Sequence, residues 1–414
     1  MKILILIESL KIDQHSAAIV GSNYINALES TGNKVHVLYP DEIIEDMPNP
    51  EPTWLNKDVT LERFSIVPET TYAKIINKIP KLRAYPSYLY GANFSKQRWI
   101  RSWKIAIQQH LELKKYDIII ALGVGAVFAP HFAMEEVQTD IPWMAYVHDP
   151  FPQQHYPDPY RKDTDGRREA EYKRFDRVMK KANIVGFPSL RLKEWMQAFH
   201  PSLENNALVS PHVEYEDRYL PKVEAQSNLD PTKFNLLHAG SLLGERNPDY
   251  LISAFRRFVE SSTEIKDNVH LHIIGSISEK YNALVSDENS NIHINKKRIS
   301  YTDSLSVLKQ SDVLVIIEAD AEDSPFMPGK LTDYIKSDKP ILAMTPLKSE
   351  TTRLLGKDYA YLTKVDDEEK ILEHLKSLWI EHKENRLSGL NRPDLVDYVS
   401  KNNLNKILHE ALSK

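Results

Sequence analysis

The chain has 414 residues, 42% of them hydrophobic, 27% charged and 9% aromatic, with 13 glycines, no cysteine and a formal net charge of −5. That length exceeds what one hydrophobic core serves, so two domains are expected, and the balance excludes a disordered or fibrous chain. The lack of cysteine excludes disulfides, thiolate metal sites and a cysteine nucleophile and suits a reducing, cytosolic compartment, while the mild acidity gives no general reason to expect nucleic acid, whose phosphates are held by clustered Lys and Arg.

The opening run, Met1-Lys2-Ile3-Leu4-Ile5-Leu6-Ile7-Glu8, is too short for a signal segment and reads as a first β-strand. Aliphatic runs at Ile3–Ile7, Val35–Tyr39, Ile118–Ala121, Met144–Val147 and Ile184–Phe187 alternate with helical patterns, which predicts a parallel α/β arrangement. Between the first two strands, Ala18, Ser22, Ile25 and Leu28 share one helical face and Gly32-Asn33 supplies the stop. From Lys74 to Lys115 there are ten Lys or Arg against one acid, Glu112, interleaved with Tyr85, Tyr88, Tyr90, Phe94, Trp99 and Trp103. This composition suits peripheral docking on an anionic membrane, and equally a charged helix whose aromatic face lies in the core. The longest uncharged stretch, Ile118 to Met134, is shorter than the roughly 20 residues of a spanning helix and contains Gly123, Gly125 and Pro130, so no transmembrane segment is expected. The Gly123-Val124-Gly125-Ala126 run reads as close helix–strand packing.

An acidic, aperiodic stretch, Glu214–Pro231, reads as a linker. Beyond it a second series of strands is expected at Asn235–Ala239, Val269–Ile274, Asn291–Ile294, Val313–Ile317 and Ile341–Ala343. The expected organisation is residues 1–213 and 214–394 as two Rossmann-like, doubly wound parallel-sheet domains, with a last helix at 395–414 packing back on the first. Such sheets bind ligands outside the carboxyl ends of their strands, which places the chemistry in a cleft between the domains.

Two segments of the second half carry that chemistry. In His238-Ala239-Gly240-Ser241-Leu242-Leu243-Gly244-Glu245-Arg246-Asn247-Pro248 a strand ends in a glycine loop and a helix opens, its stripe being Leu251, Ile252, Phe255, Phe258 and Val259. Asn247 fits the N-cap and Pro248 the first helical position. Free N–H groups there, with the Arg246 guanidinium beside them, suit phosphate oxygens; a plain strand–turn–helix with a solvated arginine is the plainer alternative. The second segment, Glu318 to Tyr334, again joins a strand to a helix: Pro328-Gly329 permits close backbone approach and Lys330 adds charge at the helix start. Asp333, one turn in, suits ribose hydroxyls or simple dipole compensation.

Together the Gly-loop with Arg-Asn-Pro and the run Ser324-Pro325-Phe326-Met327-Pro328-Gly329-Lys330-Leu331-Thr332-Asp333-Tyr334 resemble glycosyltransferase family 4, retaining nucleotide-sugar transferases of the GT-B fold. Weaker matches lie at Val147-His148-Asp149-Pro150, Ala182–Ser189 and Val209-Ser210-Pro211-His212-Val213, so the resemblance spans roughly Met144 to Pro346. It implies transfer from a UDP-sugar, or a GDP-sugar, to a hydroxyl of a glycan, lipid-linked saccharide or small molecule, with no bound metal or other cofactor. By the same likeness His148, Arg246 and Lys330 act in catalysis. The donor contacts would be Gly240, Ser241, Arg246, Ser324, Phe326, Met327, Pro328, Gly329, Lys330, Leu331 and Asp333. The family often has a glutamate eight residues before its second acid, where this chain has Pro325; Glu322 or Asp323 would have to supply that first acid through a loop shift. Asp13 and His15, in the loop after the first strand, are acceptor-side candidates, since acceptor specificity varies with loops on one scaffold. A non-hydrolysing nucleotide-sugar epimerase and a non-catalytic sugar-nucleotide-binding protein use the same fold and stay open at this point. The expected location is cytoplasmic, with peripheral contact on the inner face of a membrane through 74–115 as the one partner surface beyond the substrates.

Overall fold

Strand β1 (Lys2–Ile7) is aliphatic at five successive positions and buried at all five, so it needs cover on both faces. A parallel sheet with crossover helices on each side provides it. The computed structural model describes residues 1–14, 16–41, 54–79, 82, 84–123, 127–161, 166–219, 229–242, 244–282, 291–297 and 299–413. They fall into two compact units: 1–157, 161–213 and 400–414 in the first, 158–160 and 214–399 in the second.

In the first unit β1 pairs in parallel with β2 (Lys34–Pro40) on one side and β4 (Ile118–Leu122) on the other. Beyond them lie β3 (Thr60–Phe64), β5 (Trp143–Tyr146), β6 (Ile184–Phe187) and β7 (Ala207–Val209), in the order β3-β2-β1-β4-β5-β6-β7. The second unit holds β8 (Phe234–Ala239), β9 (Val269–Ile274), β10 (Ile292–Asn295), β11 (Val313–Ile317), β13 (Ile341–Met344) and β15 (Leu362–Thr363), ordered β10-β9-β8-β11-β13-β15. The short strands β12 (Asp323–Ser324) and β14 (Lys348–Ser349) pair beside it. Both sheets are parallel throughout and reverse direction of growth next to their first strand, at β1/β4 and at β8/β11. The carboxyl ends of those strands are where such sheets take ligands.

The expected two Rossmann-like halves and every expected strand are present. Five strands escaped the pattern: β3 because Thr-Leu-Glu-Arg-Phe lies on the sheet edge with no residue fully buried, and β7, β12, β14 and β15 because two or three residues are too few to show a period. The Gly-loop helix runs Asp249–Glu260 with Pro248, not Asn247, at its cap; Asn247 instead accepts the Asp249 N–H at 3.1 Å, a local turn that draws the boundary one residue later than expected. All five residues of its stripe are buried. Phe255 is fully enclosed there, so Phe255→Ala is expected to cost about 3–5 kcal/mol, read as a lower denaturation midpoint for the second unit. The helix Lys401–Leu412 belongs to the first unit, with Leu404 and Leu408 in one cluster with Ile25 and Leu28. Among the described residues no helix is long and apolar enough to cross a membrane. Residues 124–126 and 220–228, parts of the expected glycine loop and linker, lie outside the described residues.

Candidate functional site

At the carboxyl end of β8 the backbone needs glycine twice. Gly240 has φ +139° and Gly275, at the end of neighbouring β9, φ +134°. A β-carbon on Gly275 would lie 2.7 Å from the Gly240 carbonyl, and one on Gly240 would lie 2.6 Å from the Lys330 ammonium nitrogen. The two bare backbones therefore let the lysine at the start of the helix Lys330–Ser337 reach the strand end. There it meets His238. That imidazole donates from Nδ1 to the Val315 carbonyl at 2.9 Å, which leaves Nε2 as the acceptor for Lys330 Nζ, also at 2.9 Å.

Among the described residues the Lys330 ammonium has no carboxylate partner. Burial, then the Arg246 guanidinium, pushes the Lys330 ammonium down to about 7. Burial, then Lys330, holds His238 far below the usual imidazole range. Arg246 itself is exposed on the loop after β8 and hydrogen-bonded to Tyr160, whose ring meets Phe326 edge-on at 5.6 Å. Two cations held in a partly desolvated place favour an anion strongly, and a diphosphate offers both charge and acceptor oxygens.

The acid of this region is one the sequence reading passed over. Glu318, the residue after β11, is buried and accepts hydrogen bonds from Ser324 and from Thr345 at 2.6 Å. Burial raises its carboxyl, and these hydroxyls and Arg246 oppose the rise. By contrast Glu322 is exposed and paired with Lys348 at 2.8 Å, while Asp323 lies in β12 opposite Lys348. The signal for Glu318 was its place directly after a wholly apolar strand at the switch point; the acidic run that follows reads as a solvated loop.

Of the other donor candidates, Ser241 is exposed, Phe326, Pro328 and Gly329 are half-buried and Met327 is buried. The Ser324 hydroxyl serves Glu318. Leu331 has no exposed surface, and its N–H bonds the Pro328 carbonyl at 2.9 Å, so its side chain is core packing. Asp333 is buried, accepts the Tyr301 hydroxyl at 3.0 Å and is pushed up to about 7 by burial. A carboxyl so raised is half protonated near neutrality and suits hydroxyl partners better than a dipole-compensating surface acid would.

In the first unit His148 follows β5 at the carboxyl edge. Its ring lies edge-on to Tyr146 at 4.7 Å and 6.0 Å from His212, and it hydrogen-bonds the Gly123 backbone. Burial lowers it to about 4, so it is neutral at pH 7. Its Nε2 is buried with no hydrogen-bond partner, as are both ring nitrogens of His212, which burial lowers to about 3. His212 was noted in the sequence only as part of a weak match. Unpaired buried polar atoms cost about 1–3 kcal/mol each, and three of them lie on these two adjacent imidazoles. Asp13 is exposed in the turn after β1, and His15 lies outside the described residues.

No protein-family model and no curated protein matches the sequence. Solved structures do. Sucrose-phosphate synthase from Thermosynechococcus elongatus superposes with a TM-score of 0.66 at 12% identity, over 100% of both chains. An alpha,alpha-trehalose-phosphate synthase (UDP-forming) from Burkholderia xenovorans, in complex with glucose-6-phosphate, gives 0.65 at 12% identity, again over 100% of each. HepE of Anabaena, in complex with UDP and glucose, gives 0.61 at 14%, covering 100% of this chain and 99% of that one. At such identities the likeness establishes the fold: two parallel-sheet α/β domains of the GT-B type.

Proposed function

We propose that this chain is a retaining, family 4-like glycosyltransferase that moves a sugar from a nucleotide diphosphate donor, UDP-linked by preference, to a hydroxyl of a glycan, lipid-linked saccharide or small molecule. The observation that carries this reading is the Lys330–His238–Arg246 group at the carboxyl end of β8, where among the described residues neither cation forms an ion pair with an acid. The UDP in the HepE structure and the UDP-forming chemistry of the Burkholderia enzyme support the choice of donor.

Breaking the bond between the anomeric carbon and the diphosphate puts positive charge on the sugar ring and negative charge on the leaving oxygen. In this reading Arg246, Lys330 and the N–H groups at the Asp249 helix start hold the diphosphate, strengthening their hold as it leaves. Asp333 takes a ribose hydroxyl. His148 orients the transferred sugar, and the departing phosphate oxygen takes the acceptor's proton on the same face, which preserves the anomeric configuration. Gly240 and Ser241 offer backbone to the phosphates, Phe326 to Gly329 line the nucleotide, and Asp13 faces the acceptor.

Calorimetry against UDP, GDP and their sugars tests the donor assignment. Binding of UDP is expected, and its pH dependence has a definite sign. In the free protein Lys330 loses its proton above about pH 7. A bound diphosphate favours the ammonium form, so binding above that pH must take up a proton. Affinity therefore falls as pH rises from about 7 toward the bound-state value, by up to tenfold per unit. Proton uptake shows as a buffer-dependent enthalpy at pH 8, and Lys330→Met should abolish it. Absence of affinity for every nucleoside diphosphate would end the proposal.

Peripheral membrane contact belongs to the same reading. Trp103 is fully buried in the first core, so the basic helix Phe94–Leu113 does turn part of its aromatic face inward. The preceding helices Thr71–Asn77 and Tyr85–Tyr90 do the opposite: Tyr72, Ile75, Tyr85, Leu89 and Tyr90 are each more than half exposed. They flank a groove of about 940 Å³ that also carries Arg98, Arg101, Lys104 and Lys173. Flotation with liposomes of anionic lipid is expected at low salt and to fade as salt rises, with Tyr85→Ser/Leu89→Ser/Tyr90→Ser weakening it; equal recovery with neutral vesicles would remove the idea.

A further inference from the structure

The second sheet carries a group of side chains that the transfer reaction does not use. His270 and His272 lie two apart on β9 and so face the same side, and the parallel register sets His293 of the edge strand β10 directly beside His272. The His270 and His293 rings are 4.7 Å apart, those of His272 and His293 4.8 Å, and one ring nitrogen from each of the three falls within 4.8 Å of the others.

The hydrogen bonds around the group fix which nitrogens are free. Asn235, on β8, donates both protons of its amide, to the carbonyls of Asp230 at 2.9 Å and Lys233 at 2.8 Å. Its Oδ1 is therefore the acceptor toward His272, which must donate from Nε2, at 3.0 Å. That leaves the lone pair of His272 on Nδ1. An imidazole whose second nitrogen donates to a fixed carbonyl is the arrangement that orients a metal-ligating histidine. His293 Nε2 is buried and has no partner. Burial lowers all three rings, with His293 adding to the effect on His270 and His272. Each shift favours the neutral imidazole, the form that ligates. Lys233 also lowers His270, and its own ammonium is tied to the Asp267 carbonyl at 2.6 Å.

We propose that His270, His272 and His293 form a three-imidazole site for a borderline divalent cation, zinc(II) being the first probe. Three imidazoles with a fourth position open to water make a known zinc geometry, with bonds of about 2.0–2.1 Å and hence ligand nitrogens about 3.4 Å apart. Ring rotations closing the separations by up to about 1.4 Å would complete it. Imidazole donors select zinc, copper or nickel over magnesium or calcium. His270 is the second residue of β9, four positions before the strand end that leads to Gly275, or about 13 Å along the strand. The cation would therefore clamp edge strand β10 to β9 at some distance from the nucleotide end of the sheet.

The full chain, freed of metal by chelation, should bind one zinc ion at neutral pH in equilibrium dialysis and gain thermal stability from it. Cobalt(II) should give the intense visible absorption of a four-coordinate site. His293→Phe, which keeps ring volume, and His270→Ala should each weaken zinc binding by about 100-fold or more, and Asn235→Ala by about 10–100-fold. Their metal-free melting and UDP binding show whether each variant is folded. The proposal is overturned if the wild type takes up no stoichiometric zinc. It is equally overturned if the His270→Ala/His293→Phe double variant, folded by those controls, binds zinc as tightly as the wild type.

Discussion

Arg246→Ala is expected to lower turnover with a UDP-sugar by about two orders of magnitude, the scale of losing one donor to a charge that develops on a leaving oxygen. The loss should appear in kcat as well as kcat/KM, because the diphosphate gains charge as the glycosidic bond breaks and the guanidinium holds it more tightly then than in the ground state. Four neighbours feel this one charge: it hydrogen-bonds Tyr160, lowers Lys330 and His238 and opposes the rise of Glu318. Arg246→Lys keeps the charge and loses the planar fork, so it should fall between wild type and alanine. A folded Arg246→Ala protein with wild-type kcat would take this residue out of the chemistry.

His148→Ala is expected to cost a similar factor by another route. Burial keeps the imidazole neutral, so it does not act as a standing positive charge. What it offers is the Nε2 atom without a partner, beside a second such ring at His212. A group that positions the sugar through one hydrogen bond loses that geometry wholly on truncation, and kcat should fall with little change in UDP affinity. Since His148 titrates near pH 4, the variant's pH–rate profile between pH 6 and 9 should keep the wild-type shape. Unchanged kcat, or a loss confined to UDP binding, would refute the assignment.

The fold was legible because its strands are buried on both faces. Runs such as Lys2–Ile7 and Val313–Ile317 have no polar alternation to confuse them with surface strands, and their alternation with helices leaves little but a parallel sheet. Parts of the candidate site were legible for a local reason: Gly240, Arg246 and Lys330 lie at strand–helix junctions, where the turn itself demands a special residue. The remainder depends on partners far apart in the chain. Glu318 looks solvated until Ser324 and Thr345 come over it, and His238 looks like an ordinary strand residue until Lys330, 92 positions on, donates to it. Trp103 shows the converse, an aromatic in a basic segment that the core claimed. The pairing of His293 with His272 is a matter of register, which a spacing of 21 residues does not disclose.

The placement of Lys401–Leu412 in the first unit bears on how the chain must mature. A ribosome delivers the whole first sheet by residue 213, yet Leu404 and Leu408, which lie against the same apolar layer as Ile25 and Leu28, emerge much later. Until then that layer is open to water and to other nascent chains, and the amino-terminal half must wait, partly assembled, through the translation of nearly two hundred further residues. Cutting the gene at the obvious boundary would make that waiting state permanent.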